Sequence, residues 1–113
     1  MDPIFVKIIS NFDVKMIESM AGHPIIQGEV FAHDIFSTFY LYLRKDEKEI
    51  ALQNLKKEAL ELEKDLSLLP SIIKDDAECL RAFKEKLKDY QSDAYRDALE
   101  AYYLKEVEGV FEP

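Results

Sequence analysis

The chain has 113 residues, 48% of them hydrophobic, with 23 acidic against 15 basic side chains and a formal net charge of −8. A single cysteine, Cys79, excludes an internal disulfide framework and offers no thiolate cluster for zinc. Three glycines and four prolines are too few for an all-β fold of many tight turns, and a duplex or an anionic membrane surface would repel so acidic a chain.

This length makes one domain, residues 1–113, and the apolar fraction is enough for one core. Charge is unevenly placed. Residues 1–45 carry four basic and five acidic groups, whereas residues 46–113 carry eleven and eighteen. No apolar run approaches the twenty residues of a membrane span, and no signal-peptide pattern opens the chain, so a soluble, cytoplasmic protein is expected.

In chain order, Asp2-Pro3 starts a short helix, with Asp as the cap and Pro in the first helical position. Ile4, Phe5, Ile8, Ile9 and Phe12 line one face of it. Asp13 caps a further turn or two through Val14, Ile17 and Met20, closed by Gly22 in the left-handed conformation common after helices, and His23-Pro24 marks a break. A second helix is expected from about Gln27 to Lys45. Val30, Phe31, Ile35, Phe36, Phe39, Tyr40, Tyr42 and Leu43 leave it only a narrow polar stripe, so it belongs at the centre of the core.

Residues 46–69 hold the strongest periodic signal. Leu52, Leu55, Ala59, Leu62, Leu66 and Leu69 repeat at alternating steps of three and four, one seam along a helix of roughly 36 Å. Asp46 with Glu49 resembles a capping box, and Pro70 is the stop. Asp75 with Glu78 starts the next helix, to about Asp89, with Ala77, Leu80, Phe83, Leu87 and Tyr90 facing inward. Ser92 caps the last, through Tyr95, Ala98, Leu99, Tyr102 and Val107 to Gly109, and Phe111 in the tail docks or frays. The expected architecture is all-α: an antiparallel helical bundle of four main helices plus a short N-terminal one.

Chemistry has three places to sit. Glu29 and His33, four apart on one helical face, are a carboxylate and an imidazole that can share a divalent metal, although di-iron bundles use Glu-x-x-His, which is absent. Glu58-x-x-Glu61 with Asp65, set against Asp97-x-x-Glu100, resembles in spacing the magnesium-binding carboxylates of helical nucleotide pyrophosphohydrolases. The doubled glutamates of that family are missing, and Lys56, Lys57 and Lys64 offer ordinary ion pairs instead. Nucleophiles fail: Cys79 follows acidic residues that raise a thiol pKa, and Ser67 and Ser71 have no histidine near them in sequence. No glycine-rich phosphate loop exists, and no cofactor is implied.

Interaction chemistry remains. The leucine seam (Leu52, Leu55, Leu62, Leu66) and the tyrosine pair Tyr102 and Tyr103 exceed what a small monomer readily hides, and tyrosine suits interfaces. The leading expectation is therefore a non-enzymatic interaction module, an acidic adaptor or regulatory subunit. It pairs with itself as a homodimer, and residues 89–113, with seven acidic and two basic groups, steer a basic protein surface toward it. The alternatives are a Mg²⁺-dependent nucleotide hydrolase using the helix carboxylates and a metal-binding bundle.

Overall fold

The computed structural model describes residues 1–44 and 47–108. Local rules account for most helix starts. The Asp2 carboxylate accepts from the Ile4 N–H at 2.7 Å and Pro3 opens α1 (Pro3–Ser10). Asp13 caps α2 (Val14–Glu18) through the Lys15 N–H, and Gly22 stands at φ 89°, the left-handed turn that only glycine adopts without strain.

The next helix, α3 (Pro24–Leu43), begins three residues before the expected Gln27. His23-Pro24 is its start rather than a break before it, because proline in the first turn forfeits an N–H that had no partner there anyway. The long rod is shorter than its leucine pattern suggests. Helix α4 runs Lys48–Lys64, about 26 Å, and stops at Asp65, which is extended (φ −140°, ψ 99°) with its carboxylate accepting from the Ser67 N–H. A side chain that bonds its own backbone two residues on competes with the helix ladder, and a 3₁₀ turn over Leu66–Leu68 follows. Leu69 is nevertheless buried, so the seam outlives the helix. The expected start at Asp46 lies outside the described residues.

Pro70 precedes one helical turn, α5 (Ser71–Lys74). Asp76, not Asp75, caps α6 (Ala77–Tyr90), accepting from the N–H groups of Glu78 and Cys79 at 3.0 Å. Ser92 does not cap the last helix. Its hydroxyl donates to the Asp89 carbonyl and accepts from the Ala94 N–H, and α7 (Arg96–Tyr103) begins only after Tyr95, passing into a π-turn at Leu104–Glu108. Gly109 and the tail with Phe111 lie outside the described residues.

Among the described residues there are seven α-helices and no strand; α2 is the turn expected after Asp13, and α5 is the short addition. Helix α3 is the axis, touching α1, α2, α4, α6 and α7. Its phenylalanines organise the core: Phe36 and Phe39 meet Phe5 of α1 at 5.0 and 4.9 Å, Phe31 meets Phe83 of α6, and Phe36 stacks on Tyr90 at 4.4 Å. Gly28 lets α3 and α6 approach closely, since a Cβ there would stand 2.3 Å from the Cys79 carbonyl oxygen.

Candidate interaction surface

The leucines come first, because the interaction expectation rested on them. Leu52, Leu55 and Leu62 are fully buried inside the chain's own core, and Leu66 is half-buried against it. Helices α3 and α6 both pack on α4, so Leu52, Leu55 and Leu62 have no area left to offer a second subunit, and of these four Leu66 alone keeps part of its surface.

The tyrosines are half-buried and part of a polar clasp. Glu100 of α7 accepts from the Tyr40 hydroxyl (3.1 Å) and pairs with Lys48 (2.9 Å) and Arg44 (3.5 Å), while the Arg44 guanidinium lies 4.5 Å over the Tyr103 ring. Burial alone would raise the Glu100 pKa, but hydrogen bonds from Lys48, Arg44 and Tyr40 outweigh it and hold the carboxyl below its ordinary value. Tyr40 moves up, by burial and by the Glu100 charge. Tyr102 stands edge-on to His33 at 6.1 Å.

The two carboxylate pairs do not meet. Glu58 accepts from the Asp2 N–H at 3.0 Å, and Glu61 lies 3.5 Å from the Met1 amino group, so this pair receives the start of α1. Burial pushes the Glu58 carboxyl up, only partly offset by the hydrogen bond from Asp2. Glu100 sits instead at Lys48, ten residues or about 15 Å back along α4, and Asp97 is exposed. Asp65 is occupied with Ser67. The facing carboxylates required for a shared magnesium are therefore not assembled.

Glu29 and His33 are exposed on α3, with the His33 Nε2 3.5 Å from the Ser37 hydroxyl. Among the described residues no three His, Cys, Asp or Glu side chains gather where they could hold a metal ion. Cys79 is buried, and burial first, then Asp76, raises its thiol pKa, the opposite of an activated nucleophile.

The fold leaves Ile50 and Leu60 exposed on α4, off the leucine seam, and it leaves open the first turn of α3, where the exposed side chains line a groove. Ile25 and Ile26 are 44% and 46% exposed, and with Gly22, His23, Pro24 and Glu78 they line a groove of about 520 Å³. A second shallow groove, about 470 Å³, runs between α1 and α3, with Ile4, Ile8 and Phe12 on its wall and Lys7 and Asp13 at its edge. Sequence reasoning missed Ile25 and Ile26 because it began the helix at Gln27 and left them in a loop. The available signal was Pro24: read as a first helical residue, it places two β-branched apolar side chains in a first turn that has no apolar partner of its own. No family model, curated protein or solved structure matches this chain.

Proposed function

We propose that the protein is a non-enzymatic helical interaction module, an acidic adaptor that pairs with itself through apolar helix surface, with α3, α4, α6 and α7 as its antiparallel frame. One observation carries the reading: consecutive isoleucines at 44% and 46% exposure on the wall of a concave groove. Fully burying an isoleucine is worth about 1.5–3 kcal/mol. The carboxylates that a hydrolase would use are engaged instead with Arg44, Lys48, the Asp2 N–H and the Met1 amino group. The net charge of −8 suits a basic second partner, whose encounter rate falls as salt screens the field.

Sedimentation equilibrium of the full chain tests this. A dimer that weakens at least about tenfold in the Ile25→Asp, Ile26→Asp double variant, with circular dichroism unchanged, supports it. A dimer of unaltered strength, or a wild-type chain that stays monomeric at millimolar concentration, overturns it.

A further inference from the structure

Helix α7 is held differently from every other long element. It buries a single side chain, Leu99; Tyr103 packs against the core and edge-on to Tyr40, and much of the remaining fastening is polar. Glu100 pairs with Lys48 and Arg44, Arg96 with Glu49 at 2.9 Å, Asp93 before the helix with Lys56 at 2.8 Å, and the Tyr95 hydroxyl donates to the Leu52 carbonyl at 3.3 Å. An eight-residue helix is not stable alone, so α7 exists because α3 and α4 supply this seat. The seat is mainly cationic in an acidic protein: without α7 it would present Arg44 and Lys48 near Tyr40, and Lys56 and Glu49 farther along α4.

The joint before α7 has a second property. From Ser71 to Glu108 the chain contains neither glycine nor proline. Gln91 (φ −89°, ψ −3°) and Tyr95 (φ −92°, ψ −6°) already lie in the right-handed region, and the break between α6 and α7 is kept by Ser92, whose hydroxyl bonds to Asp89 and Ala94 in place of the helix ladder. Local hydrogen bonding at the joint, with Tyr95 held at Leu52 and α7 in its seat, is what keeps residues 77–103 from becoming one helix of about 40 Å. Straightening would carry α7 away from its own seat.

We propose that α7 exchanges between two copies of this chain: the 91–95 joint straightens, and Glu100 of the partner subunit closes onto Arg44 and Lys48. The occupant is a second copy because the seat is shaped and charged for this helix, with Leu99 and Glu100 in register. The contacts of α7 itself are remade and only those of the joint, Asp93 and Tyr95 included, change, which is the condition under which exchange is inexpensive. The exchange does not depend on the Ile25–Ile26 face.

The test uses the full chain carrying Ile25→Asp and Ile26→Asp, so that pairing through that face is absent and the two ideas fail separately. Lys48→Glu and Glu100→Lys are placed in different chains, each of which alone sets like charges against each other at the clasp. Mixed, warmed and cooled, the two chains are expected to form a heterodimer in which the 48–100 pair of each clasp regains opposite charges, one of the two keeping a like charge at Arg44, whereas closed monomers regain neither pair. Ser92→Ala should raise the dimerisation constant about twofold per joint through helix propensity, and Ala94→Gly should lower it. The joint variants leave the clasp intact, so they decide the matter if the charge variants fail to fold. Mixed chains that remain monomers or homodimers, or a dimerisation constant indifferent to the joint, overturn the proposal.

Discussion

Two glutamates with the same chemistry have opposite thermodynamic roles here. Glu100 has its pKa held down by its donors, so the stability it contributes is present above the unfolded carboxylate value and is lost as pH falls through the lower, folded value. Glu58 has its pKa pushed up by burial, so proton uptake favours the folded chain, and its charged form is a cost that appears as pH rises. Glu100→Gln is therefore expected to lower stability by about 1 kcal/mol at neutral pH, after discounting for partial exposure, and to change little at acid pH. Glu58→Gln keeps an acceptor for the Asp2 N–H and removes the buried charge; its melting temperature should exceed wild type at neutral pH and converge with it on acidification. Thermal melts of both variants across pH check the two signs. Gly28→Ala places a methyl against backbone atoms of α6, which cannot swing aside as a flexible side chain would, so urea unfolding should show a loss of about 1–3 kcal/mol. None of these roles was visible in the sequence, where Glu58 and Glu100 read as surface carboxylates at helical spacing; what separates them is which backbone or cation the fold brings alongside.

At the scale of elements, caps and periodicity were legible and boundaries were not. Asp2-Pro3, Asp13 and Gly22 act as their residue types imply, and the heptad-like leucines do form one buried edge. Asp65 ended the rod early because a carboxylate two residues from an N–H outbids one more turn, a competition that hydrophobic spacing does not register. The same chemistry at Ser92 turned an expected cap into a joint. The edge itself gives a contrast within a single helix: Leu62→Ala should cost about 2–5 kcal/mol, because it opens a cavity in the core. Leu60→Ala, two residues away and 44% exposed, should stay within about 0.5 kcal/mol. Chemical denaturation of the two variants measures both, and equal losses would contradict the orientation of α4.

For the whole molecule, the all-helical class followed from composition and period, and among the described residues no helix is long and apolar enough to cross a membrane. The candidate surface did not follow. A leucine seam and a surplus of tyrosine pointed to assembly, yet the core takes in most of the leucines and the clasp engages Tyr103, while the isoleucine pair that a misplaced helix start had hidden stays exposed, as do Ile50 and Leu60 of α4. Which apolar residues remain outside depends on how seven helices share one α3 axis, and that is a property of packing rather than of any segment. Amide hydrogen exchange followed against protein concentration tests the central claim most directly. The first-turn N–H groups of α3 have no intrahelical acceptor and no side-chain cap, so in a monomer they exchange freely. Protection is expected to rise at Ile25 and Ile26 over the concentration range in which the chain dimerises; exchange there that stays fast while the sedimenting mass doubles would contradict the account.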